Sequence, residues 1–332
     1  MDRGRVPPPR QLGQGAVLVI SLRYHVISIG AVFLALALGV VLGSTTLSDS
    51  LLSGISGQKA QLGEQVSGLQ AQRNALNARL ADADQFATGV GPLTVRGLLA
   101  QRTVVVITTA NVAQADESAL QSLLTAAGAK VTGQVQLTDA LSDPNRADQL
   151  RDLVTQMIPA GAQLPVASDA GTLSGGLFGE LLLLNKANNQ PQSTANERSA
   201  ALSGFAAAGF IKPLQTQIQP AQLAVVLTGG AQSGDDSGDR AATLARFATQ
   251  IQKSGAGAVL AGSTTSAQGT GPLGVVRADT SAASILSTVD NADTAAGRVV
   301  TVLALQEQLQ NKSGAYGTAG NAHSPTPQPP TN

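Results

Sequence analysis

The 332-residue sequence contains no cysteine and no tryptophan. Without thiols there is no disulfide framework, no thiolate metal site and no cysteine nucleophile. Histidine occurs only at His25 and His323, and methionine only at Met1 and Met157. Aromatic residues make up 2% of the chain, too few for the two aromatic girdles of an outer-membrane barrel. Charged residues are 13%, about half the usual share. Lys+Arg and Asp+Glu both total 21, so the basic footprint of a nucleic-acid partner is missing. The 36 glycines and 15 prolines follow no G-X-Y period, which excludes a collagen helix. Low charge with a normal apolar share points to a membrane segment or to an unusually buried body.

The membrane segment is present. Val26 to Leu42 reads VISIGAVFLALALGVVL without a charge. That is near the lower limit for a spanning helix and longer than the roughly 7–15-residue core of a signal peptide. Arg3, Arg5, Arg10 and Arg23 precede it, and only Lys59 follows within the next stretch. The positive-inside rule then places the N-terminus in the cytoplasm and the rest outside, with membrane lipid as the first partner. The reading is an uncleaved signal anchor over 20–46; the alternative is a signal peptide cleaved near Val41-Leu42-Gly43. Ala31, Ala35, Gly39 and Gly43 recur every fourth residue and form a smooth stripe suited to close helix packing. Residues 1–19, with Pro7-Pro8-Pro9, read as a disordered or mis-annotated extension, with Val19 as an alternative start.

The period then changes to seven. Ile55, Leu62, Leu69, Leu76 and Ala83 fall at d, and Leu52, Lys59, Val66, Arg73 and Leu80 at a. This predicts a coiled-coil stalk over 47–88 with a core of Leu52, Ile55, Leu62, Val66, Leu69, Leu76, Leu80 and Ala83. The stalk implies a homo-oligomer, with Lys59 and Arg73 weakening the seam and setting its register. The competing reading is a long helix folded back on its own body. Gly89-Val90-Gly91-Pro92 is expected to end the helix.

Residues 89–312 predict an extracytoplasmic α/β domain. Arg102 to Thr109 is a β-branched run, as in a buried parallel strand. Asp116 is read as the cap of a helix to Ala127, Gly128 as its stop, and Lys130–Leu137 as the next strand. The same grammar returns in Leu223–Thr228, the cap Asp239, a helix to Lys253 and a strand over Ala258–Gly262. Helices over about 145–158, 170–187 and 196–208 lie between, and Thr294–Gln310 closes the body. The fold class is therefore α/β: a doubly wound, mostly parallel body with two related halves, about 98–190 and 191–312. Residues 313–332, with Pro325, Pro327, Pro329 and Pro330, read as a disordered tail.

Chemistry is sparse in this body. No glycine follows the first strand, where G-x-G-x-x-G would cradle a dinucleotide. The second copy, Thr228-Gly-Gly-Ala-Gln-Ser-Gly-Asp-Asp-Ser-Gly-Asp239, has glycines, but its aspartates repel phosphate. There is no Walker A lysine and no G-x-S-x-G, and both histidines fall outside the expected body, excluding a Ser-His-Asp triad. Asp235, Asp236 and Asp239 are the weak candidate for a hard cation; a solvated loop and helix cap is the plainer reading. Gly171, Gly175, Gly176 and Gly179 suggest a flexible lid or a loop entering a helix. The expectation is a non-enzyme with no catalytic residues, no metal ligands and no cofactor.

Ile20-Ser-Leu-Arg-Tyr-His-Val-Ile-Ser-Ile29, Ala31-Val-Phe-Leu-Ala-Leu-Ala-Leu-Gly39 and Gly43-Ser44 resemble the start of the actinobacterial copper transporter family. Gly297–Gln306 and Gly314-Ala-Tyr-Gly317 continue the resemblance. It implies a role in copper homeostasis or efflux in the cell envelope, with an outer-membrane location as one implication. Copper(I) prefers thiolate and thioether donors, and copper(II) favours imidazole. One protomer is too poor in these donors for a conventional copper site, so an indirect role for copper is the expectation. The rival is an envelope scaffold that assembles through its stalk and binds a protein partner with its body.

Overall fold

The computed structural model describes residues 22–328, without the side chains of 44–57. The expected extension 1–19 and the prolines Pro329 and Pro330 lie outside the described residues, as do the side chains of Leu52 and Ile55.

Helix α1 runs unbroken over Leu22–Thr94. Two compact units divide within it, the second beginning at Arg79. In the first unit, Leu22–Gly43 is long and apolar enough to cross a bilayer, and none of it is buried. The helix also continues past the Gly-Val-Gly-Pro sequence that was expected to stop it. Pro92 lies in its last turn and therefore breaks only one bond near an end. Gly91 is needed there for close packing: a Cβ would stand 2.9 Å from Val299 Cγ2.

The second unit is a six-stranded sheet in the order β2-β1-β3-β4-β5-β6. The strands are β1 Thr103–Thr108, β2 Lys130–Gln136, β3 Leu223–Leu227, β4 Gly257–Ala261, β5 Ser287–Val289 and β6 Ala315–Tyr316, and every neighbouring pair is parallel. β1, β3 and β4 are buried on both faces, which is why they read as unbroken Val/Ala/Leu runs rather than as alternating patterns.

The helices are α2 Gln114–Ala126, α3 Ala147–Gln156, α4 Ala170–Leu182, α5 Ala195–Ala207, α6 Ser237–Ser254, α7 Pro272–Ala278, α8 Thr280–Ala283 and α9 Ala295–Gln308. Alternate strand residues feed two cores. Val104, Val106, Val225 and Val259 pack with Leu120 and Leu124 of α2 and with Val302 and Leu305 of α9. Val105, Ile107, Val226 and Leu260 pack with α3 to α7 on the other face. Helices therefore cover both faces of the sheet. The repeated strand–helix–strand units, β1-α2-β2 and β3-α6-β4, lie side by side in this one sheet.

Three local expectations need correction. Asp116 and Asp239 do not cap helices. α2 begins at Gln114, with Ala113 before it, and α6 begins at Ser237, with Asp236 before it. Asp116 instead meets Arg298 at 3.0 Å, and Asp236 accepts from Arg240 Nε at 2.8 Å. Asp116 and Asp236 each pair with a guanidinium, a stronger partner than a helix N–H, while Asp239, the expected cap, lies inside the first turn of α6 rather than before it. Secondly, Gly171, Gly175 and Gly179 form no lid. They lie in α4, where added Cβ atoms would stand 2.4 Å from Thr243 O, 2.5 Å from Phe247 O and 2.1 Å from Ser254 Oγ, all on α6. The stripe lets the two backbones touch. Thirdly, the expected tail from 313 is partly built into the sheet as β6, because Asp290 and Arg277 bind it from below.

Candidate functional site

Open α/β sheets bind ligands where the strand order reverses, outside the carboxyl ends of the strands. Here that point lies between β1 and β3. Asn111, just after β1, accepts from Thr109 Oγ1 at 2.6 Å and from the Gly229 N–H at 3.2 Å. A Cβ on Gly229 would lie 2.6 Å from Asn111 Cγ, and one on Gly230 would lie 2.5 Å from Thr265 Oγ1. These glycines let the chain's own loops close on one another; their space is already taken.

A cavity of about 190 Å³ remains beside Ala113, Asp116, Gly262, Ser263 and Asp293. It is smaller than the roughly 300–1,000 Å³ of ordinary ligand pockets. Burial pushes the Asp293 carboxyl above its ordinary range, and the neighbouring charges of Asp116 and Asp290 push the same way, against Arg298. Arg298 is itself engaged: it donates to Asp116 and to the Asp293 carbonyl at 3.2 Å. The first turn of α2 carries Asp116 and Glu117, so its positive end is already matched by carboxylates. A nucleotide phosphate would meet like charge here.

The strongest charge network lies at the sheet edge. Arg277 meets Asp290 at 2.8 Å, with the two side chains 4% and 0% exposed. Arg277 also donates to Thr288 Oγ1, Asn321 Oδ1 and the Tyr316 carbonyl. Asp290 Oδ1 accepts from the N–H groups of Thr318 at 2.7 Å and Ala319 at 3.1 Å. Gly317 has φ +130°, and a Cβ there would strike Asp290 Oδ1. Tyr316 donates its hydroxyl to Glu307, and burial, helped by that carboxylate, raises its pKa. Every strong donor and acceptor of the buried pair is used within the chain. The network fastens β6; it does not present a free group to a ligand.

The candidate metal donors are scattered. His25 is exposed on α1. His323 is exposed and lies in the fold rather than in a loose tail, its N–H donating to the Ala315 carbonyl at 2.8 Å. Met157 packs against the core of the body, beside Gly204. Asp236 is taken by Arg240, whose hydrogen bond lowers the carboxyl's pKa. Among the described residues, no group of three or more His, Asp or Glu could hold a metal ion. Ala31, Ala35, Gly39 and Gly43 are all exposed on α1, and added Cβ atoms at Gly39 and Gly43 would meet nothing within 4 Å. Leu62, Val66, Leu69, Leu76, Leu80 and Ala83 are exposed as well.

An apolar N-terminal helix long enough to cross a bilayer, joined to an open parallel-sheet body, defines a membrane-attached α/β protein. Residues 19–327 match the family described as "Copper transport outer membrane protein, MctB". The chain belongs to this family. It is 39% identical over 313 residues to the copper transporter MctB of Mycobacterium bovis and to that of Mycobacterium tuberculosis, covering 93% of this chain and 99% of each relative. The copper transporter MctB of Mycobacterium leprae is 39% identical over 316 residues, with the same coverage.

Proposed function

We propose that this chain is an envelope protein of copper homeostasis or efflux that works without a tight copper site of its own. The observation that carries the reading is kinship along nearly the whole length to relatives named copper transporters. The donor census supports the second half: no thiol, and no group of three or more His, Asp or Glu among the described residues that could hold a metal. The anchor is read as uncleaved, with the N-terminus cytoplasmic and the body outside. An open sheet whose edges are β2 and β6 favours attachment by a helix over a barrel, whichever envelope membrane holds it.

The assembly is read as a homo-oligomer through a coiled coil. Leu62, Leu69 and Leu76 are 61%, 65% and 57% exposed in the single chain, an apolar row that a second copy would cover. The two strand–helix–strand units are read as related halves. The second reading is an envelope scaffold that assembles through this same exposed row and binds a protein partner with its body.

Cellular copper measured in a deletion strain, complemented with the full-length or the anchor-less gene, tests the function. Copper should rise in the deletion and fall only with the full-length gene. Unchanged copper would leave the scaffold reading. Competitive copper titration of the purified full chain against a chelator of known affinity tests the site. A stoichiometric site filled at submicromolar free copper would overturn the indirect reading.

A further inference from the structure

Arg198 sits on α5 and is 6% exposed, yet it forms no ion pair among the described residues. Its Nε donates to the Ile218 carbonyl at 2.9 Å and its Nη1 to the Ser193 carbonyl at 3.4 Å. Nη2 donates to no group among the described residues. A guanidinium offers five N–H donors and always carries its charge. Two neutral carbonyls leave most of that capacity unused. The adjacent Glu197 does not help: its carboxylate is turned to Thr194 and to the Ala160 N–H. Burial alone lowers the Arg198 pKa, with no carboxylate working against it. A buried charge without a counter-charge is costly, and every other buried guanidinium described above has an acid.

This arginine lines a cavity of about 270 Å³ between α5 and the segment 214–218. Ser199, Ser203, Gln215, Thr216 and Gln217 bring hydroxyl and amide groups to its wall. Ala195, Leu202 and Leu214 bring methyl groups. Arg198 is the only charged residue in the lining.

We infer that this cavity binds a small monocarboxylic acid, with the Arg198 guanidinium gripping the carboxylate. One positive charge matches one negative charge. A phosphate, which averages more than one negative charge at neutral pH, would call for a second cation that the wall does not have. The fork of Arg198 suits two parallel N–H···O bonds to a carboxylate. The methyl groups suit a short hydrocarbon chain, and the volume, just under the ordinary range, limits it to a few carbons. The cavity lies apart from the crevice between β1 and β3 and shares no lining residue with it.

The test is titration calorimetry of the full chain in an uncharged detergent, with sodium butyrate and inorganic phosphate as separate probes. Butyrate should bind one site per chain and phosphate should not. Arg198→Lys should weaken butyrate by about tenfold or more, since it replaces a fork of charge-assisted bonds by a point charge. Ser199→Phe, at an exposed position on the mouth, should abolish binding and leave the unfolding temperature unchanged. No saturable butyrate binding to the wild-type chain, phosphate binding in its place, or butyrate binding that survives Ser199→Phe would each overturn the assignment.

Discussion

Two helices carry small residues at every fourth position, and they meet opposite fates. In α4, Gly171, Gly175 and Gly179 lie against the backbone or side chains of α6, with no room for a methyl group. In α1, Ala31, Ala35, Gly39 and Gly43 present the same spacing to open space. The comparison extends to the larger apolar residues. Phe178, Phe205 and Phe247 of the body are fully buried, with ring centroids 5.0 and 5.5 Å apart in edge-on pairs around Phe178. Leu62, Leu69 and Leu76 of α1 are mostly exposed. A small-residue stripe thus records that something comes close. Within the chain it identifies the neighbour only for the body. For α1 the single chain brings nothing within 4 Å of a Cβ added at Gly39 or Gly43.

Four measurements sharpen or break this contrast. The largest effect is expected from replacing Leu62 and Leu69 together by Ala. Each leucine is worth about 2–5 kcal/mol in a packed seam. Self-association, followed by analytical ultracentrifugation in detergent, should fall sharply while the unfolding of the body stays unchanged. A lowered body stability with intact association would show that α1 finds its complement at home.

Next comes Asp290→Ala, which strands the buried Arg277 charge. It should cost about 3–5 kcal/mol in denaturant unfolding and release the amides of Thr318 and Ala319 to hydrogen exchange. Wild-type protection at those amides would remove Asp290 as the anchor of the final strand.

Gly175→Ala should cost about 1–3 kcal/mol by overpacking α4 against α6, whereas Gly39→Ala should not move the body's midpoint at all. Equal effects at the two glycines would erase the distinction between the stripes.

The smallest effect concerns Glu197. Hydrogen bonds from Thr194 and from the Ala160 and Thr194 N–H groups lower its pKa from 4.5 to about 2. A carboxyl with a depressed folded-state pKa contributes stability above its unfolded pKa, and that stability fades as pH falls. The unfolding temperature should therefore decline between about pH 4.5 and about pH 2, and Glu197→Gln should flatten that part of the slope. A variant as acid-sensitive as the wild type would mean that the capping box of α5 does not carry the effect.

The strands that were legible in the sequence were β1, β3 and β4, whose residues are β-branched or apolar almost without a break, and β2, which follows the glycine that stops α2. β5 and β6 were not. Ser-Thr-Val and Ala-Tyr are too short and too polar to stand out, and β6 is held by Asp290 and Arg277, which lie well before it in the sequence. The helix starts expected at Asp116 and Asp239 were misjudged for a related reason. A capping aspartate is a local signal, but Asp116 is claimed by an arginine 182 positions away, and α6 begins two residues before Asp239, behind Asp236, whose carboxylate pairs with Arg240. The glycines of α4 suggested a lid or a loop entering the helix read over 170–187, because nothing in their own neighbourhood announces α6. As for the candidate sites, the scarcity of metal donors was visible at once from composition. Arg198 was silent, because a single arginine in a helix looks like a solvated side chain until its burial is known.

The edge strand bears on the order in which the protein is made. β6 leaves the ribosome after every strand it joins. Until Ala315 and Tyr316 emerge, β5 has no partner on that side, and Asp290 lacks the amide donors of Thr318 and Ala319. Without them β5 would be the open edge of the sheet, and Asp290 would keep Arg277 but lose two amide donors. The last strand thus moves the sheet edge from β5 to a two-residue strand, which offers less backbone to a stray neighbour.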